Sequence, residues 1–229
     1  MKRVLCVLML FVFTMAYAQE WDVTQIGDLH RWTFRMSQGG DSLGYSVFEI
    51  RKLAGQLLIN EDSHVPSFRE DIFCYVNPES LEPDSVLVTG RMSGFPIECK
   101  VKWQDGKAVG YANFPKHPSN PTKPIKVNMP EGTKVRLMSF VLSPFYKDLK
   151  VGDKFTYPQF SSTDGQIRQI SASVTGTETF QIQGKSVEAL KLELSGGVAE
   201  QNIYIDPVGK RIVRISFRNN NWIYELISS

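Results

Sequence analysis

Histidine stands at only three positions, His30, His64 and His117, too scattered for a short metal-binding or acid–base motif. Neither His-Glu-x-x-His nor Cys-x-x-Cys occurs, so a familiar zinc site lacks its spacing, and neither a metal nor a cofactor is expected. The run Gly90-Arg91-Met92-Ser93-Gly94 puts its serine one place late for the G-x-S-x-G nucleophile turn, with no strand-to-helix α/β pattern around it. Asp62, Glu70 and Asp71 could serve as acid and base, but carboxylates clustered at strand ends are usually solvated. Gly39-Gly40 and Gly196-Gly197 lack phosphate-loop spacing and read as turn glycines. This inventory predicts a protein that is not an enzyme.

The opening MKRVLCVLMLFVFTMAYAQE has the layout of a secretory signal over residues 1–18. Lys2 and Arg3 form its basic end, an apolar run follows to Met15, and Ala16-Tyr17-Ala18 is the cleavage site. That run is shorter than the ~20 residues a membrane-spanning helix needs, and no later stretch approaches that length. The expectation is a periplasmic protein whose mature chain carries no transmembrane span. Losing Lys2 and Arg3 leaves as many basic as acidic residues, so no long-range field recruits nucleic acid. Cys74 and Cys99 then remain, in a compartment where disulfides persist. One bridge and two buried free thiols are both open.

Strands are indicated almost throughout. Trp32, Phe34 and Met36 alternate with Thr33 and Arg35, and Phe95, Ile97, Cys99, Val101 and Trp103 alternate with Pro96, Glu98, Lys100 and Lys102. Turn-rich clusters such as Gln104-Asp105-Gly106-Lys107 and Asp206-Pro207-Val208-Gly209-Lys210 separate such runs. Two consecutive strands, Ile167 to Val174 and Glu178 to Gln183, precede one at Val187 to Leu194. The composition breaks at 115–130, where five of the twelve prolines lie. Proline forbids a helix or a central strand there, so this reads as a loop within one domain covering 19–229. Beyond it, Thr133 can cap a helix carrying Val135, Leu137, Met138, Phe140, Val141 and Leu142, ending at Ser143-Pro144.

Many short strands, one helix and no βαβ alternation define the expected fold class. It is mainly β, a large curled antiparallel sheet forming a half-barrel or open barrel, with one short helix packed on or in it. A membrane barrel would need an apolar lipid-facing band, whereas Glu98, Lys100 and Lys102, like Glu188, Lys191 and Glu193, place charges on both faces.

Three runs carry a resemblance: LEPDSVLVTGRMSGFPIECKVKWQDGKAVG, TKVRLMSFVLSPFYKDLKVGDKFTY and GKSVEALKLELSGGVAEQNIYIDPVGKRIVRISF. Over roughly residues 30 to 227 the chain resembles an uncharacterised family of bacterial periplasmic proteins related in fold to the outer-membrane lipoprotein-carrier proteins. The resemblance implies a curved sheet whose concave side could hold acyl chains, and it implies no catalytic residue.

The aromatic residues Trp32, Phe34, Phe95, Trp103, Phe140, Phe145, Tyr204, Phe217, Trp222 and Tyr224 fall at alternating or helix-apolar positions, where core packing is the default. A curled sheet can leave part of that surface lining a pocket, with Arg35 and Arg214 as candidate polar groups. The expected ligand-lining set is Leu137, Met138 and Val141 under the helix, with Trp103 and Phe95 from the sheet. The resulting expectation is a binding or carrier protein for an apolar small molecule or lipid. The competing expectation is a non-enzymatic module that meets an envelope protein through a sheet edge or the proline-rich segment.

Overall fold

The computed structural model describes residues 20–113, 122–162 and 164–229. The signal segment at 1–18 and most of the first half of the proline-rich stretch lie outside them.

The first half of the chain forms β1 (Leu29–Gln38), β2 (Asp41–Leu53), β3 (Gln56–Val65), β4 (Phe68–Val76), β5 (Pro83–Met92), β6 (Phe95–Gln104), β7 (Lys107–Asn113) and β8 (Lys123–Asn128). A two-residue strand β9 (Lys134–Val135) leads into the helix α1 (Arg136–Val141) and a 3₁₀ turn at Ser143–Phe145. Next come β10 (Lys154–Ser161), β11 (Gln166–Ile182), β12 (Lys185–Ser195), β13 (Gln201–Asp206), β14 (Arg211–Phe217) and β15 (Trp222–Ser228). All belong to one 15-stranded sheet in the order β8 to β1, then β15 back to β9. Two meanders are therefore joined where β1 pairs with β15, and every pairing is antiparallel except β9 with β10. Among the described residues no helix is long and apolar enough to cross a membrane.

A sheet this wide must coil, because each strand is rotated against the last. The ends of the curl meet through side chains. Trp103 of β6 packs edge-on against Phe160 of β10, ring centres 5.2 Å apart. The turn between β10 and β11 abuts β8 so closely that a Cβ on Gly165 would come within 2.9 Å of Ile125. The alternating inner residues fill the curl: Trp32, Phe34 and Met36 are all at most 3% exposed. A Cβ on Gly90 would lie 2.0 Å from the Arg69 carbonyl, so only glycine fits where β5 pairs with β4 there.

Three expectations need correction. The helix starts at Arg136, not after Thr133, whose hydroxyl donates to the Pro130 carbonyl at 2.6 Å; Lys134 and Val135 are drawn into the parallel pairing with Gln159 and Phe160 instead. The second half of the expected loop at 115–130 is the strand β8, tolerated because it is an edge strand on which Pro124 removes no needed donor. The runs at 167–174 and 178–183 are one strand, β11, with a bulge between Val174 and Gly176. Of the two alternatives open for Cys74 and Cys99, the structure has the pair of buried free thiols. Cys74 pairs with Val86 and Cys99 with Val88, so β5 lies between them. Two strand spacings put their backbones roughly 10 Å apart, beyond the ~7 Å a disulfide can bridge.

Candidate functional site

The inner face of the curl is largely apolar, and one of its polar patches carries acids. Along β3 the buried positions are Leu57, Ile59, Glu61, Ser63 and Val65, so the alternation that fills the core also carries a carboxylate and a hydroxyl inward. Ser63 faces Ser46 across the ladder with β2, hydroxyl oxygens 2.8 Å apart, and its own hydroxyl donates to Glu61 Oε1 at 2.8 Å. Since Ser63 has one proton to give, Ser46 must be the donor to Ser63. On its other side Ser63 faces Glu70 of β4. Two acids and two hydroxyls thus occupy one patch of the concave wall.

Arg136, the first residue of α1, stands over this patch. Burial raises the Glu61 carboxyl, and Arg136 together with the two serines pulls it back in part. Burial also pushes Glu70 up, to about 7, reinforced by the Glu61 charge and opposed by Arg136. The phenol of Tyr224 on β15 is raised well above its usual value by burial and then by Glu61. The Arg136 Nε is buried with no hydrogen-bond partner among the described residues, an uncommon state for a guanidinium donor.

These groups line a cleft of about 400 Å³ between α1 and the concave wall. Phe48, Phe140 and Tyr224 form a contiguous aromatic side, with Phe48 5.5 Å from Phe140 and 6.2 Å from Tyr224 between ring centres. Phe217 continues it 5.4 Å from Tyr224, and Trp222 lines the same cleft. Met92 and Val198, 41% and 46% exposed, are at the mouth. The volume is near the lower end of the ~300–1,000 Å³ typical of small-molecule sites, and an apolar wall with a few convergent polar groups is their usual chemistry.

The expected ligand-lining residues lie elsewhere. Leu137, Met138 and Val141 are at most 2% exposed and belong to the core, because the cleft face of α1 is the Arg136–Phe140 pair at i and i+4. Trp103 closes the curl against Phe160, and Phe95, 43% exposed, is absent from the lining although its cross-strand partner Met92 is present. Arg35 and Arg214 share Glu225 on the outer face, each at 2.7 Å. Strand alternation also divides the acidic trio: Glu70 points inward, while Asp62 and Asp71 pair across the β3–β4 ladder on the outside. Ser93 occupies the two-residue turn between β5 and β6 with φ 50°, a hairpin position at the rim of the cleft.

Phe140, Phe217, Trp222 and Tyr224 stand out in the sequence as alternating aromatics. Glu61, Arg136 and Phe48 do not. Continuing the period of two from Leu57 and Ile59 would have found Glu61; Arg136 has no such signal, because its orientation depends on where the helix begins.

The architecture defines a β-barrel-like protein with a concave cleft. No family profile matches the chain, and no curated protein does. Among solved structures the chain is similar to a beta-barrel-like protein of domain of unknown function DUF1849 from Brucella abortus, with a TM-score of 0.51 and 10% identity over 87% of this chain and 96% of that one. The likeness at this identity is one of fold.

Proposed function

We propose that the protein is a non-enzymatic binding or carrier module that holds one amphipathic molecule in the cleft beside α1, and that it acts in the periplasm after export by a cleaved signal. One observation carries the reading. An aromatic wall formed by Phe48, Phe140, Phe217 and Tyr224 ends on a polar group of buried Glu61 with half-buried Glu70 and Arg136, which suits a ligand with an apolar body and a polar end. Burying such polar groups costs stability unless they are paired, and Arg136 Nε is not. The relation to lipoprotein carriers implied by the sequence agrees with this use of a concave face and belongs to the same proposal.

The test is native mass spectrometry of protein purified from its own envelope. A co-purifying small amphiphile, lost on Phe140→Ala, is expected. A stoichiometric protein with an empty cleft would favour the envelope-interaction role.

A further inference from the structure

We propose that the ligand is a single-chain amphiphile with a carboxylate head, bound at Arg136, and that its binding takes up one proton at Glu70. The inference rests on the cleft being the binding site and adds the chemistry of the head group.

Among the described residues Arg136 is the only arginine or lysine lining the cleft, and its buried Nε is a donor without an acceptor. An ammonium head offers no acceptor, and a hydroxyl head offers one without charge. A carboxylate supplies both, with the strength of a charge-assisted hydrogen bond.

The carboxylates already present decide the proton balance. Glu61 is engaged by Ser63, while Glu70 has no side-chain hydrogen bond among the described residues. Around Glu70 stand Glu61 from β3, Arg136 from α1, Asp71 on its own strand, Tyr224 from β15 and Cys99 from β6. The phenol and thiol are held neutral by burial, so they add no charge. Asp71 faces outward. An arriving carboxylate therefore meets Arg136 together with two acids, and repulsion falls when Glu70 binds a proton and becomes a hydrogen-bond donor to the head. Glu70 titrates at about 7, so the proton is taken from solvent at and above neutrality and is already in place below it. Affinity for the carboxylate should fall as pH rises above 7, approaching tenfold per unit.

Isothermal titration of the signal-free chain with dodecanoate, dodecanol and dodecylamine decides it, run at pH 6, 7 and 8.5 in two buffers of different ionisation enthalpy. Dodecanoate is expected to bind at least about tenfold tighter than dodecanol at pH 6, with proton uptake approaching one at pH 8.5. Glu70→Gln, which mimics the protonated acid, should bind dodecanoate at least about tenfold tighter than the native chain at pH 8.5, with neither proton uptake nor pH dependence. Arg136→Gln should bring acid and alcohol to equal affinity, and Arg136→Lys should restore part of the difference. Each variant is first shown to melt cooperatively, so loss of fold is separated from loss of recognition. Preference for dodecylamine, or dodecanoate binding without proton uptake, overturns the head-group proposal and leaves the cleft reading standing. Failure of all three probes to bind overturns the cleft reading and this inference with it.

Discussion

Ser63 stands opposite Glu70 in the β3–β4 ladder while its hydroxyl donates to Glu61 on its own strand, so one small residue adjoins both acids of the cleft. Strand alternation places Glu61 and Ser63 on the same face, and strand pairing adds Glu70 from the neighbour.

Ser63→Ala removes the hydroxyl that donates to Glu61 Oε1 at 2.8 Å. A buried acid left without its partner should cost about 1–3 kcal/mol. Urea unfolding at pH 7 measures it. Burial raises the Glu61 carboxyl and the hydroxyl lowers it, so the loss should shrink as pH falls and Glu61 takes up its proton, and a loss independent of pH would contradict that role.

The two faces of α1 should separate stability from binding. Leu137→Ala empties core space and should cost ~2–5 kcal/mol while leaving the cleft wall intact. Phe140→Leu should cost less and weaken probe binding. Paired melts and titrations on both variants check this, and a Leu137 variant that folds yet loses the probe would show that the expected helix underside forms the site after all.

How far the sequence could be read depended on which signals are local. The alternations of Trp32 to Met36 and of Phe95 to Trp103 do lie in single strands, β1 and β6, because a period of two is a local signal. β8 is not legible in the sequence because Pro124 argues against strand wherever pairing partners are unknown, and only the completed sheet shows it to be an edge. The helix was legible as apolar density around Leu137 to Leu142, but its start was decided by a parallel pairing with Gln159 and Phe160, residues some two dozen positions away. Moving that start rotated the cleft face from Leu137, Met138 and Val141 to Arg136 and Phe140. The fold came from local pattern, whereas the site needed long-range register.

The cysteines should behave as buried thiols. Burial pushes Cys99 up to about 12 and Cys74 higher still, and thiolate is the reactive form. The native chain should resist a maleimide reagent, and guanidinium alone, with no reductant, should expose both Cys74 and Cys99 to it. Labelling that requires a reductant would reveal a bridge.

Lys134 is 9% exposed, its Nζ 3.6 Å from the Trp21 ring centre and 4.7 Å from that of Tyr157. Burial pulls its pKa down from 10.5 to about 7. Between those values the unfolded chain holds a proton that the folded chain lacks, so stability from this group rises with pH across that window and is lowest below it. The rings offset part of the cost by up to about 2 kcal/mol. Lys134→Met, which keeps a contact with the rings, should therefore stabilise the fold at pH 6 by roughly 1–3 kcal/mol and have little effect near pH 10. Melts across that range check it, and a pH-independent effect would contradict it.

The occupancy of the cleft is the central claim, and quenching of Trp222 by a brominated single-chain fatty acid reads it directly. Trp222 lines the cleft, while Trp103 lies against Phe160 where the curl closes. Saturable quenching is expected in the native chain, retained in Trp103→Phe and lost in Trp222→Phe. Quenching that survives in Trp222→Phe, or none in the native chain, would contradict the assignment of this cleft as the binding site.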